Sequence, residues 1–425
     1  MRVLVLGSGA REHALAARLS DKRGADEVMC APGNPGTAAL CRTLDADLSD
    51  PASLLELAAR ERVDLTVVGP EVPLSLGVAD RFAAAGRLLF GPTQAAARLE
   101  SSKAFAKAFM ARHGVPTARF RTCESVGEGL GAVRSGEFGF PVVLKADGLA
   151  AGKGVIIADD RAAAEAAVVA AMRERRFGAA GDRLVVEECL SGPEVSFFVF
   201  SDGVRVLPFA SAQDHKRALD DDRGPNTGGM GAFAPSVLLD AALDARVMRE
   251  IVEPVISGMA AEGHPFRGFL YVGLMLTAEG PKVIEFNVRL GDPEAQVILP
   301  LIDEPLLPVL VAAAEGRLVQ PSCRLGRDKL VGVVIASRGY PESSESGRPI
   351  HGIEDAERTS QVFHAGTARR GGDLVTAGGR VLTVVGRGVN FEDAIARAYE
   401  GVSKIHFDGM QYRRDIGRKA LAREA

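Results

Sequence analysis

At 425 residues the chain exceeds what one hydrophobic core usually serves, so roughly two to four packed units are expected. Hydrophobic residues at 47% and charged residues at 25% are ordinary globular values, and no apolar run reaches the ~18 residues that a bilayer span needs. A net charge of -4, with no polybasic segment and no tryptophan, argues against a nucleic-acid surface and leaves small molecules as the expected partners.

The chain opens on MRVLVLG, an apolar strand without a charged leader or a small-residue cleavage site, which points to the cytoplasm. Residues 1–100 then alternate strand and helix: VLVLG, EHALAARLS, EVMCAPGN, LLELAARE and DLTVVGP, the wiring of a parallel α/β sheet. In VLVLGSGARE, Gly7 and Gly9 lead from strand to helix, but Glu12 stands where a dinucleotide fingerprint wants its third glycine. The second strand also ends without an acidic ribose partner, so NAD is disfavoured. A short phosphate on the helix N-terminus fits better. The loop with Gly33, Asn34 and Gly36 lies at the same carboxyl edge, and together these loops suit a phosphorylated sugar.

The stretch PTQAAARLESSKAFAKAFMARHGVP predicts one helix ended by Gly114 and Pro116, with a boundary near residues 100–118. From about 118 to 192 the pattern is that of a small α+β lobe containing an antiparallel hairpin, VVLKADGLAAGKGVIIA. Its glycines let backbone N–H groups approach a phosphate, and Lys145 and Lys153 add charge. The Walker pattern fails here: Asp147 replaces its first glycine, Gly154 its Ser/Thr, and a strand follows instead of a helix. A plain glycine-rich surface turn is the competing reading. Downstream, VVEECLSGPE runs a strand through Glu187 and Glu188 to Leu190 and a Gly-Pro turn before Glu194. Such a hinge offers backbone groups to a purine and a carboxylate to ribose hydroxyls, although a charged loop cap explains it equally well in isolation.

Residues 193–325 alternate long strands with helix near 240–262. The loop AQDHKRALDDDRGPNTGGMGAF is too polar and glycine-rich for core; Lys216, Arg217 and Asn226 suit anion or nucleotide contacts, and His215, without a ligand partner at metal spacing, is assigned no catalytic role. In KVIEFNVRLGDPE the period of two puts Glu285, Asn287 and Arg289 on one face and Ile284, Phe286, Val288 and Leu290 on the other. A carboxylate and an amide oxygen are hard ligands for Mg2+ shared with phosphates, against the plainer reading of an exposed polar face. From Lys329 onward short strands and a final helix, FEDAIARAYEGVSKI, form a last α/β lobe. Five scattered cysteines, without a Cys-x-x-Cys pair, read as reduced packing residues. Only ten of the fifty-one basic residues are lysine, yet Lys103, Lys145, Lys153 and Lys216 all fall in these segments, as a compact ammonium meeting phosphate would require.

The ordered strings GSGAREHA, APGNPGTA, KADGLAAGKGV, QDHKR, GPNTGGMGA and EFNVRLGDPEAQ closely resemble the phosphoribosylamine–glycine ligases of purine biosynthesis, over almost the whole chain. The resemblance implies an ATP-grasp fold: an N-terminal parallel α/β domain at 1–100, an ATP-grasp domain at 101–325 with an α+β lid at about 118–192, and a C-terminal α/β lobe at 326–425. It implies glycine, 5-phosphoribosylamine and ATP as substrates and a glycyl phosphate intermediate. By the same likeness Lys103, Lys145, Glu187, Glu188, Cys189, Leu190, Glu194, Arg217 and Asn226 are expected at the nucleotide, and Glu285 with Asn287 at the metal. Arg289, Asp292 and the lid's Lys153 are expected at the reacting centre, Asp214 at the glycine ammonium, and Gly9, Arg11 and Asn34 at the sugar phosphate. The preceding strand FLYVGLML supplies no second metal carboxylate, so a single Mg2+ or Mn2+ is expected. A cytoplasmic monomer or weak homodimer follows, bound to neither nucleic acid nor membrane. The alternatives are another ATP-grasp carboxylate–amine ligase and a nucleotide-binding regulator.

Overall fold

The computed structural model describes residues 1–21, 24–149, 154–319 and 322–424. Its first sheet is parallel, as the alternating pattern predicts. The strands β1 (Arg2–Gly7), β2 (Glu27–Pro32), β3 (Arg42–Thr43), β4 (Leu65–Val68) and β5 (Leu89–Phe90) lie in the order β3-β2-β1-β4-β5. Both faces are buried: Val3 and Val5 pack with Leu15 and Phe90, and Leu4 and Leu6 with Leu54 and Phe82. The strand order reverses between β1 and β4, which opens a crevice at their carboxyl ends.

The single helix expected after Pro92 is two helices, Gln94–Ser101 and Lys103–Arg112, broken at Ser102 with φ -136° and ψ 110°. Ser102 caps the second helix by accepting the Phe105 N–H at 3.1 Å. It also donates to Asp147 Oδ1 at 2.9 Å, and that same oxygen accepts from the Ala104 N–H at 3.0 Å. A carboxylate 45 residues downstream thus stops the first helix and starts the second, which places Lys103 at the new N-terminus.

The lid is a separate antiparallel sheet of β6 (Phe120–Cys123), β7 (Val142–Ala146), β8 (Val155–Ala158) and β9 (Leu184–Glu188), in the order β6-β9-β7-β8. The period of two sorts its residues. Val142 and Leu144 join Val133, Val168 and Val186 in the lid's own core beneath the helices Val126–Ser135 and Arg161–Val168, whereas Val143 and Lys145 face the cleft.

The body is one large sheet. It comprises β10 (Glu194–Asp202), β11 (Val206–Asp214), β14 (Gly231–Ala234), β15 (Arg267–Thr277), β16 (Gly280–Asn287), β17 (Lys329–Ala336), β18 (Gln361–His364) and β21 (Arg380–Gly388). Two short ribbons, β12 (Arg217–Leu219) with β13 (Arg223–Asn226) and β19 (Thr367–Arg370) with β20 (Asp373–Thr376), project from it. The order β16-β15-β10-β11-β14-β17-β21-β18 makes the last lobe's strands a continuation of the central sheet through β14. The predicted final helix is Phe391–Lys404, packed on the sheet through Phe391, Ala394, Ala398 and Val402. A further short helix, Arg418–Glu424, follows it.

Candidate functional site

A cleft of about 520 Å³ lies where the lid, the body sheet and the N-terminal crevice meet. Its floor is β16. Glu285 and Asn287 line it together, as the period of two predicts, but so does Ile284. A bulge puts Ile284 between the residues paired with Gly273 and Leu274, so it leaves the apolar face expected for it. Desolvation disfavours charge on Glu285, yet Lys216, Lys103, Lys145 and Arg289 surround it and hold its carboxyl below the ordinary carboxylate range. Among the described residues no hydrogen bond or salt bridge engages the Glu285 carboxylate or the Asn287 amide, so both oxygens remain open to the cleft. No group of three or more His, Cys, Asp or Glu suited to a metal occurs among the described residues. An ionised carboxylate plus an amide oxygen therefore fits a hard cation that takes its remaining ligands from phosphates and water.

Arg289 reaches the cleft between two carboxylates, Glu71 Oε2 at 3.2 Å and Glu100 Oε1 at 2.9 Å. Against the pull of desolvation, these partners and Glu294 and Glu285 raise its proton affinity further. Glu100 also accepts the Val288 N–H at 2.7 Å, which fixes the chain just beyond β16. Asp292 accepts from Gln296 at 2.7 Å and lies 3.4 Å from Arg380. Desolvation is outweighed there by Arg380 and Arg11, and the Asp292 carboxyl is held low.

On the lid side, Lys145 Nζ pairs with Glu187 and donates to the Ile284 carbonyl at 3.0 Å. Glu188 accepts from the Arg119 N–H at 3.0 Å and Nε at 2.7 Å. Cys189, Leu190 and Lys103 line the cleft, and Lys103 donates to the Glu100 carbonyl at 3.3 Å. Lys153 lies outside the described residues.

The acidic end of the cleft is built from β10, β11, β15 and the turn after β16. Glu194 accepts from Lys216 at 2.7 Å. Desolvation, with Glu194 and Glu285, pushes Asp214 up, while Lys216 opposes. Desolvation and Asp214 push Glu294 up to about 7, and its carboxylate accepts from Ser196 at 3.3 Å. The buried Tyr271 hydroxyl lies 3.1 Å from the same Ser196 oxygen, and with the serine's one proton given to Glu294 it is the tyrosine that donates there.

At the N-terminal crevice the glycines make room for Glu12. A Cβ on Gly7, whose φ is +128°, would sit 2.4 Å from Glu12 Cγ, and one on Gly69 would sit 2.1 Å from its Oε1. Glu12 accepts the Gly9 N–H at 2.6 Å, so the residue occupying the third-glycine position caps the helix itself. Arg11 pairs with Glu12 at 2.5 Å and lines the cleft. Asn34 accepts from Gly36 and Thr37 as a helix cap, and donates to the Ser8 and His364 carbonyls at 2.8 Å each. Its amide is therefore occupied in tying this loop to β18. A Cβ on Gly9 would lie 3.6 Å from Asp292 Oδ2, which sets the crevice against the Asp292 end of the cleft.

Of the residues expected at the site, Lys103, Lys145, Glu187, Glu188, Cys189, Leu190, Glu194, Asn226, Arg11, Asp214, Glu285, Asn287, Arg289 and Asp292 line this one cleft. Gly9 and Asn34 stand behind it in the crevice. Arg217 lies on the β12–β13 ribbon and donates to the Gly224 carbonyl at 2.9 Å. Sequence reasoning missed Glu71, Glu100, Tyr271, Glu294 and Arg380 as lining residues. Glu294 stood inside the RLGDPEAQ string and was recoverable from it; Arg380 is one arginine among many, without a local signal.

Family profiles for the phosphoribosylglycinamide synthetase N domain, ATP-grasp (A) domain and C domain match residues 1–100, 101–295 and 330–419. Curated phosphoribosylamine–glycine ligases of Xanthomonas axonopodis pv. citri and Neisseria meningitidis are 52% and 48% identical, over 100% of this chain and 99% and 100% of their own. A crystal structure of the Thermotoga maritima phosphoribosylamine–glycine ligase superposes with a TM-score of 0.86 at 35% identity, covering 98% of this chain and 100% of that one. The biotin carboxylase domain of a Hydrogenobacter thermophilus 2-oxoglutarate carboxylase, solved with MgADP, ADP and bicarbonate, has a TM-score of 0.72 at 18% identity over 96% of this chain and 91% of that one, a likeness of fold.

Proposed function

Because the chain belongs to the phosphoribosylglycinamide synthetase family, we propose that its cleft activates the glycine carboxylate with ATP on the floor and receives the sugar amine from the crevice. The enzyme is an ATP-dependent ligase that joins glycine to 5-phosphoribosylamine, giving glycinamide ribonucleotide, ADP and phosphate in purine biosynthesis. ATP lies between lid and body, with the hinge Glu187 to Leu190 at the base and Lys103 and Lys145 at the phosphates. Glu194, Arg217 and Asn226 complete the nucleotide contacts. Glu285 and Asn287 would hold one Mg2+ or Mn2+, which would screen charge on the phosphate oxygens.

Arg289, clamped by Glu71 and Glu100, stabilises charge on the phosphoryl group as the glycine carboxylate attacks it; Asp292 stands at the same centre. Asp214, with Glu294 beside it, receives the glycine ammonium and fixes the carboxylate toward the phosphates. Glycyl phosphate forms with loss of ADP. The neutral amine of the sugar then attacks its carbonyl, and phosphate leaves. Gly9 and Arg11 orient the sugar phosphate beside Asp292, and Asn34, its amide engaged as a helix cap, holds the loop behind them. The protein acts in the cytoplasm as a monomer or weak homodimer without nucleic acid or membrane; no described helix is long and apolar enough to cross a membrane.

The observation that carries this reading is the ring of Lys216, Lys103, Lys145 and Arg289 around an open, ionised Glu285, beside an acidic pocket. ADP release is measured with protein, Mg-ATP, glycine and fresh phosphoribosylamine, omitting each in turn. Full turnover is expected only with all of them, and ADP formation indifferent to glycine would sink the reading.

A further inference from the structure

We propose that Lys107, which lines no part of the cleft, is a positioning residue for Lys145: by holding one oxygen of Glu187 it keeps Lys145 available to phosphate. Lys107 lies on the helix Lys103–Arg112 and is 3% exposed. Its ammonium pairs with Glu187 Oε2, while Lys145 pairs with Oε1 of the same carboxylate. Lys107 also donates to Thr117 Oγ1 at 2.8 Å, and Thr117 donates to the Val283 carbonyl at 2.7 Å. Lys145 donates to the next carbonyl on β16, that of Ile284, at 3.0 Å. The circuit joins three parts of the molecule: the helix that carries Lys103, the root of the lid on β7 and β9, and the strand of Glu285 and Asn287. Lys103 and Lys107 are one turn apart, so one helix supplies a lysine to the cleft and another to the lid root.

Charge explains why two lysines share one carboxylate. Buried ion pairs are strong because little water screens them, and a lone Glu187–Lys145 pair would be neutral and closed. An incoming phosphate would then have to compete with Glu187 for Lys145. With Lys107 present the triad carries a net charge of one positive unit, and Lys145 can turn its remaining donor toward the nucleotide. Desolvation pulls Lys107 down to about 8, with Lys145 adding to it and Glu187 opposing, which leaves it predominantly protonated at neutral pH. The same arrangement removes the Glu187 side chain from nucleotide recognition, so the hinge presents its backbone there.

The inference rests on the reading that Lys145 meets ATP phosphates, and the test separates the two. Steady-state kinetics are measured on full-length K107M, K107Q, K145M and the double variant K107M/E187Q. K107M and K107Q are expected to raise the KM for ATP about tenfold, with kcat within about threefold and the glycine KM unchanged. K107M/E187Q, which removes the competing carboxylate along with its lysine, is expected to return the ATP KM to within about threefold of the parent. A double variant no better than K107M, or a K107Q enzyme with the parental ATP KM, overturns the positioning role. An unchanged ATP KM in K145M instead overturns the assignment of Lys145 to the phosphates. K107Q keeps a hydrogen-bonding amide at this site and decides the question if K107M does not fold.

Discussion

The N-terminal sheet and the lid sheet are both small and both carry helices, yet they are joined to the body in different ways. The N-terminal sheet shares apolar cores with the body on both faces: Val3 and Val5 belong to the cluster of Phe200, Phe209 and Phe269, and Leu4 and Leu6 to that of Val199, Phe109 and Leu270. The lid has its own cluster, from Cys123 through Val186, and meets the body through polar tethers. Asp147 holds Ser102 and Ala104, Glu187 holds Lys107, and Lys145 holds the Ile284 carbonyl. Separating shared apolar faces exposes them to water, which opposes movement of the N-terminal sheet. The Asp147 and Lys145 hydrogen bonds can be exchanged for water or substrate at small net cost, which suits a lid, while the buried Lys107–Glu187 pair stays closed at its root.

The largest expected effect lies on the floor, which belongs to neither sheet. Glu285→Ala is expected to lower turnover about a thousandfold or more, with circular dichroism and melting unchanged, because a carboxylate without a hydrogen-bond or ion-pair partner among the described residues adds little to stability. Wild-type activity in this variant would remove Glu285 from the metal site and leave the cleft without a floor ligand. Next comes a direct contrast of cores. Phe200→Ala is expected to lower global unfolding free energy by about 3–5 kcal/mol in denaturant titration. Leu144→Ala is expected to speed hydrogen exchange of lid amides and leave the body's exchange unchanged. Were both to shift the same cooperative transition equally, the lid would not be a separate unit.

The smallest effect is a matter of pH. Glu294 is pushed up to about 7 from an ordinary value of 4.5 by desolvation and by Asp214. Between those values the folded protein holds a proton that the unfolded chain has released, so this group favours folding at low pH and that contribution is lost as pH rises to about 7. Glycine binding runs the other way, since the ammonium needs the ionised form. The glycine KM is expected to rise as pH falls through about 7, and Glu294→Gln should flatten that limb while raising the KM throughout. An unaltered pH profile in this variant would detach Glu294 from the glycine pocket.

Much of this was legible in the chain itself. Alternating strand and helix patterns gave the parallel first sheet, and the period of two in KVIEFNVRL put Glu285 and Asn287 on one face. Glu12 at the third-glycine position disfavoured a dinucleotide, and its carboxylate does fill that space. These features are local: they depend on residues a few positions apart, where backbone periodicity and turn chemistry leave a mark in the sequence. What folding alone decided is the pairing of charges far apart in sequence. Arg289 is clamped by Glu71, 218 residues away, and Arg380 arrives at Asp292 from the last lobe, 88 residues on. Asp147, read first as a failed glycine, breaks a helix 45 residues earlier, and Lys107, which carries no local signal, meets Glu187 only in the assembled fold. Such pairs are selected by desolvation and electrostatics in the assembled cleft, and neither exists until the units have packed.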